Sequence, residues 1–492
     1  MKNKIKYAII LYLSTFVLSS CRKWTEIDPP VTKISSEVVF ASSETAIAFV
    51  NGIYAEMGLS NGTLGISTIG GLSADELSYY NPSVPGLYAS LYTNNIQSNQ
   101  GSSIVFWQQL YSNVYKTNVA ISKLSTAKTY EEDPTKSSLT SAVKKQLIGE
   151  AKFLRAFFYF YLVQFYGDVP LITSDDYRIN AKASKAPKEL IYQQMIKDLI
   201  EAQAELNPAY TEADAVTIKT IGYRIKPNSW VAKALLARIY LYHGDYSLAE
   251  QLSAEVIANK TMYELKTSLD DVFLASLTTN ASAVNSEAIW QLQPTVAGWN
   301  TDEARTLILT TAPNVSYPFY LNPLILTAFE PGDKRRTSWI RTLSIGTDIY
   351  YYPYKYRAIS SPPVTEYSMV MRLAEQYLIC AEARAQLNRI AGDSGAGMML
   401  NVIRNRAGLS GTSATTKSEM LDAIIKERRV ELFTEWGHRW FDLKRTGTVD
   451  KVMKDVTPLK GGSDWQSYQQ YYPLPATDIS NNPNLKQNEG YK

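Results

Sequence analysis

Residues 147–166, LIGEAKFLRAFFYFYLVQFY, are apolar on nearly every side of a helix, with Glu150, Lys152 and Arg155 as the only charges. A helix without a polar face cannot lie on a surface, so this one belongs in the middle of a protein with other elements packed around it. Gly167-Asp168-Val169-Pro170 ends it, because glycine frees the backbone and proline disfavours helix in the residue before it. Further helices follow. In Trp230 to Asn259, the residues Ala237, Tyr240, Gly244-Asp245-Tyr246 and Ala249 are spaced as in a degenerate tetratricopeptide unit, where small residues let two antiparallel helices approach. A second pair is expected over Met369 to Asn388 and Gly397 to Ala407, joined through the glycine-rich Ala391 to Gly397, and Leu421 to Phe441 reads as one more amphipathic helix.

Between the helical blocks, Thr93 to Ser103, Ala275 to Ser286 and Leu409 to Ser418 are polar and turn-rich, as surface loops are. The stretch from Ala288 to Thr365 differs in kind, with short apolar runs, many prolines and the tyrosine-rich Ile349 to Tyr356, and predicts irregular structure with short strands. The expected fold class is mainly α: tetratricopeptide-type helix pairs, an α-solenoid-like half, packed against an irregular, loop-rich half with a few short strands.

The N-terminus predicts export. Lys2, Lys4 and Lys6 precede an apolar run, Tyr7 to Leu18, that is too short to span a bilayer. Leu18-Ser19-Ser20-Cys21 then has the form of a lipoprotein cleavage site, so residues 1–20 read as a signal peptide and Cys21 as a lipidated N-terminus. Two or more acyl chains would anchor the protein to a membrane without spanning it. With Cys21 acylated, only Cys380 remains, no internal disulfide can form, and the helical periodicity around Cys380 makes it a buried small hydrophobe. Of 50 basic residues the leader removes three lysines, leaving 47 against 47 acidic ones. A chain near neutrality with no block of like charge argues against nucleic acid and against a polybasic membrane surface.

Enzyme signatures are missing from the sequence: there is no HExxH, no GxSxG, no phosphate-cradling glycine loop, and no histidine or cysteine cluster with metal spacing, so no catalytic residue, metal or cofactor is expected. The acid pairs Asp75-Glu76 and Asp175-Asp176 read as solvated loop acids. His438, flanked by Trp436, Trp440 and Phe441, reads as core, and His243 lies in a repeat turn. Glu427, Glu431 and Glu435 recur every four residues with Arg428, Arg429 and Arg439 close by, which predicts a helix face bridging neighbouring repeats through ion pairs.

Binding is where the composition speaks. Of the aromatic residues, 34 are tyrosine, against 14 phenylalanine and 9 tryptophan, and several lie outside periodic helices. A flat apolar face with a polar edge suits sugar rings and peptide backbones alike. The candidates are Tyr79, Tyr80, Tyr88 and Tyr92 after the first helix, and Trp299 with Asn300 and Asp302. Asp75, Asn81 and Arg305 are candidates for hydrogen bonds. Trp299 leads, because the polar loop Val296 to Asp302 has no apolar periodicity to explain it.

Several segments together resemble one family. They are Leu18 to Cys21, the helix Glu150 to Phe160 ending in Tyr166-Gly-Asp-Val-Pro-Leu, Arg372-Leu-Ala-Glu-Gln-Tyr-Leu-Ile-Cys-Ala-Glu-Ala, Lys426 to Gly447, and the tail from Tyr472 to Tyr491. All are similar to SusD/RagB outer-membrane lipoproteins and occur in that family's order. The resemblance implies four tetratricopeptide-type helix pairs, an N-terminal region over 21–225 and a C-terminal region over 226–492 in one two-lobed body. It also implies a SusC-like TonB-dependent barrel as partner, attachment to the outer membrane through the N-terminal lipid only, facing outward, and oligosaccharide capture without catalysis. Oligopeptide cargo, a scaffold for surface enzymes and a surface hydrolase are the alternatives.

Overall fold

The helix Ser141–Tyr166 starts before the apolar run, because the Thr140 hydroxyl accepts the Val143 N–H at 3.3 Å and caps it. From Phe153 to Tyr166 every side chain is buried. Its charges are answered one by one: Arg155 donates to both oxygens of Asp198 (2.8 and 2.6 Å) and to Asn118 (2.9 Å), while Glu150 accepts from Lys226 and the Tyr54 hydroxyl, each at 2.9 Å. These partners turn a costly burial into a tolerable one. This computed structural model describes residues 36–58, 65–99, 101–130, 138–218, 223–275 and 285–491. The expected signal peptide, Cys21 and most of the loop 275–286 lie outside the described residues.

Helices surround the central one as its all-round apolarity requires. Gly101–Thr126 packs on one side and Lys188–Glu205 on another. From Lys188–Glu205 the array continues through Ser229–His243, Tyr246–Ala258, Leu373–Gln386 and Ala396–Arg406, each against the next, with Lys417–Glu431 also on Leu373–Gln386. The turn Gly244-Asp245 joins two of them in the way the sequence indicates, Gly244 taking a left-handed φ of 98° that favours glycine. Cys380 is fully buried, as expected.

The region 288–372 is irregular, with short helices and strands. Among the described residues the strands form four antiparallel pairs: Leu77–Tyr79 with Phe319–Leu321, Val169–Pro170 with Lys185–Ala186, Ala288–Leu292 with Ser368–Arg372, and Ile340–Ile345 with Asp348–Pro353. The third pair corrects one expectation: Met369 to Arg372 is strand, and the helix begins at Leu373. Pairing with Ala288–Leu292, far away in sequence, overrides the local helical pattern.

A second correction concerns 421–441. The helix Lys417–Glu431 stops, the chain turns through positive φ at Thr434, Trp436 and Gly437, and a new helix runs over His438–Arg445. Buried cations hold the break open. Arg372 donates to the Glu431 carbonyl at 2.7 Å, and the Lys355 ammonium donates to the Glu431 and Phe433 carbonyls, both at 2.8 Å. Those carbonyls face cations from outside the helix, which satisfies them where the helical ladder ends. The turn brings Gly437 against Gly70 of the helix Gly65–Ser73, so close that a Cβ on Gly70 would lie 2.6 Å from the Gly437 Cα.

Glu427, Glu431 and Glu435 are ion-paired, but with distant cations and not with the expected Arg428, Arg429 and Arg439. Glu431 accepts from Arg335 (2.8 Å), Arg372 (2.6 Å) and Arg406; Glu427 from Arg335 (2.6 Å) and Arg404 (3.2 Å); Glu435 from Lys355 (2.5 Å) and Arg372 (2.7 Å). Arg428 instead holds Asp442 at 2.8 Å. His438 is buried, and burial among cations pushes its pKa well below the usual value.

Candidate functional site

The pairing of Leu77–Tyr79 with Phe319–Leu321 sets Tyr79 opposite Phe319, and the ladder continues as Tyr80 N–H donates to the Pro318 carbonyl at 3.0 Å. An aromatic group results. Ring centroids are 5.1 Å apart for Tyr79 and Tyr80, 6.2 Å for Tyr79 and Tyr88, and 4.7 Å for Tyr88 and Phe319. Tyr79 and Tyr80 are half-buried and Tyr88, on the short helix Leu87–Tyr92, is exposed. Packed edge to face or tilted, the rings stiffen one another.

Asp302 and Arg305 meet this group from the other half of the chain. Thr301 caps the short helix Asp302–Leu307 by accepting the Ala304 N–H at 3.0 Å, and one turn later Arg305 Nε donates to Asp302 Oδ1 at 3.1 Å. Tyr88 lies within their field: burial and the Asp302 carboxylate raise its pKa, and Arg305 opposes them. Asp302 and Arg305 also line a cavity of about 250 Å³ together with Trp299, Gln293 and Thr295. Trp299 is 40% exposed. A second hollow, about 420 Å³, shares the segment Leu292–Thr295 as wall and extends to Asn51, Tyr54 and Lys226. The two lie on either side of that shared segment, and the exposed indole belongs to the first.

The structure thus brings together Trp299, Asp302, Arg305, Tyr79, Tyr80 and Tyr88, with Asn81 half-buried directly after Tyr80. Three candidates are buried, Asn300 among them although it lines the Trp299 cavity. Asn300 is buried and its amide is occupied: Oδ1 accepts the N–H groups of Thr365 (2.9 Å) and Glu366 (3.0 Å), and Nδ2 donates to Ser361 (2.9 Å). It clamps the segment 361–366 under the Trp299 loop. Asp75 is buried, accepting from Arg439 at 2.7 and 2.9 Å and from Arg429 at 2.8 Å. Burial would raise its pKa, but the two guanidiniums outweigh that and hold it at about 2. Tyr92 is core, with the Lys460 ammonium 5.4 Å from its ring centre. Glu76 is no solvated loop acid either: burial and the Asp75 charge push it up to about 8. Phe319, Gln293, Thr295 and Tyr54 were not anticipated, and nothing local in the sequence marks them.

The arrangement can hold a neutral, ring-shaped or extended ligand: flat aromatic faces for its apolar surface, and the Asp302–Arg305 pair and the Gln293 amide for hydroxyls or amides.

Two family profiles match the chain, one described as SusD family over residues 334–491 and one described as starch-binding associating with outer membrane over residues 66–241. A SusD-like protein of Formosa agariphila is 26% identical, over 99% of this chain and 100% of its own length. The starch-binding protein SusD of Bacteroides thetaiotaomicron is 25% identical, over 72% of this chain and 74% of its own. Among solved structures, a laminarin-binding SusD-like protein superposes with a TM-score of 0.71 at 23% identity, covering 92% of this chain and 100% of that one.

Proposed function

The chain belongs to the SusD family, and from that premise we propose that it is a non-catalytic outer-membrane lipoprotein that captures a glycan at the cell surface. The observation that carries the reading is Trp299, a large indole left 40% exposed over a cavity lined by Asp302, Arg305 and Gln293. An indole face open to solvent beside convergent polar groups is suited to stacking on the apolar face of a sugar ring. The tyrosines Tyr79, Tyr80 and Tyr88 extend the platform, and the neighbouring hollow lined by Tyr54 offers further room beside it. Relatives named for starch and laminarin binding support a glucan as cargo. Acylation of Cys21 anchors the protein, and a SusC-like TonB-dependent barrel takes the cargo onward.

The test is binding of a soluble form lacking residues 1–21 to starch, laminarin and other polysaccharides by retardation gel and calorimetry, with peptide digests alongside. A glycan is retained, and Trp299→Ala weakens it by at least tenfold, about 1.4 kcal/mol. Retention of peptides alone would replace the sugar reading with oligopeptide uptake, and an unchanged affinity in the variant would move the site off Trp299.

A further inference from the structure

A second cavity, about 510 Å³, opens between the helix Gly101–Thr126, the short helix Tyr177–Asn180 and the C-terminal helix Ala476–Asn481. It shares no lining residue with the Trp299 cavity, and its size falls within the usual range of ligand sites.

Its inner wall is aromatic and rigid. Trp107, Tyr111 and Tyr115 follow one another at four-residue intervals and therefore climb one face of the helix at about 6 Å per step. Trp107 is buried and donates its indole N–H to Asp478 Oδ2 at 2.8 Å; Tyr111 donates its hydroxyl to the Pro170 carbonyl at 2.8 Å; the two rings are 4.6 Å apart. The outer residues are the unusual ones. Tyr115 is 42% exposed and Tyr177, on a separate element, is 71% exposed, although both line the cavity. Core packing explains neither. Gln108, Ser112 and Asn481, all exposed, add neutral hydrogen-bonding groups.

We infer that this cavity is a second carbohydrate site, which takes a neutral oligosaccharide between Tyr115 and Tyr177. Aromatic faces spaced by a helical turn meet the apolar faces of successive sugar rings, and amides and hydroxyls meet their hydroxyls. An anionic ligand finds no counterpart, since among the described residues Asp478 is the only charged one that lines the cavity, and the Trp107 indole holds one of its oxygens. The wall that carries the aromatic row is a helix whose backbone is already bonded, so that wall offers a peptide strand no edge to pair with. The inference stands on this cavity's residues and does not depend on Trp299.

The experiment uses the Trp299→Ala protein, so that capture at the first site is weakened, and titrates it with laminarihexaose, maltohexaose, xylohexaose and mannohexaose, and with a neutral hexapeptide. One or more oligosaccharides bind, one per chain, and adding Tyr115→Ala and Tyr177→Ala weakens that binding by at least about tenfold. Both tyrosines are exposed, and an unchanged thermal melt verifies that the fold is kept. No binding of any sugar in the millimolar range, binding indifferent to the two tyrosines, or binding of the hexapeptide alone would each overturn the inference. Equal sugar binding by wild type and Trp299→Ala would instead refute the first site and leave this one standing.

Discussion

Glu431→Gln removes one negative charge from the centre of the molecule while keeping the shape of the side chain, so it isolates what that charge does. Glu431 is fully buried and accepts from Arg335 at 2.8 Å, from Arg372 at 2.6 Å and from Arg406. Burial alone would raise its pKa, but Arg406, Arg372 and Arg335 outweigh it and hold the carboxyl well below the ordinary value. Without the charge, five cations, Arg335, Arg372, Arg404, Arg406 and Lys355, share the four carboxylates of Asp333, Glu287, Glu427 and Glu435, and part of the positive charge is left uncompensated in a dry interior. Breaking a buried ion pair from one side costs about 3–5 kcal/mol, and that is the loss expected in urea unfolding at pH 7. The pH dependence sharpens the test. A carboxyl with a depressed folded-state pKa contributes stability that is present above its unfolded pKa, about 4.3, and lost as pH falls through the folded one. Wild type and variant should therefore differ fully at pH 6–8 and converge in acid, where a protonated glutamate resembles glutamine. A loss under about 1 kcal/mol at pH 7, or a gap that widens in acid, would refute the electrostatic reasoning.

Glu303 is the opposite case. Its carboxyl is buried, Oε1 accepts the Ser368 hydroxyl at 2.8 Å, and burial pushes its pKa up to about 7. The folded state holds a proton there that the unfolded state releases, so stability falls between about pH 4.5 and 7, by on the order of 3 kcal/mol; Glu303→Gln should flatten that slope in urea titrations at several pH values. Asp75→Asn strips the counter-ion from Arg439 and Arg429 and should cost about 3 kcal/mol in the same assay, while glycan affinity stays within about twofold because Asp75 is not on the binding surface. Gly70→Ala forces a methyl against the Gly437 backbone and should cost about 1–3 kcal/mol in thermal or urea unfolding; a neutral outcome would mean that the two helices separate easily.

Much of the helical half was legible because its signals are local. The apolar run 147–166 announces burial on all sides, and 153–166 is buried without exception. Gly244-Asp245 announces a tight turn between helices, and the turn is there. Trp299 stood out because no periodicity accounts for it, and it is exposed beside a cavity. The errors share a cause. Met369 to Arg372 has helical periodicity, yet its partner strand begins at Ala288; the segment 421–441 reads as one helix, yet cations from Lys355 and Arg372 occupy the carbonyls where it breaks. Asp75 looked like a loop acid because the arginine that neutralises it is 364 residues away.

By itself, then, the sequence determined the elements whose stability comes from neighbours along the chain: the helices, their caps and turns, the apolar faces and the family resemblance those spacings carry. Tertiary structure alone decided which acid meets which base. It decided that Glu431 serves Arg335, Arg372 and Arg406 and not the arginines beside it, and that Asn300 is a clamp. It also placed Tyr88 within reach of Asp302 and Arg305, and Tyr79 against Tyr88. The physical reason is that periodicity encodes only which residues leave water. A buried charge must find its partner wherever the folded chain brings one, and that pairing exists only once distant segments have come together.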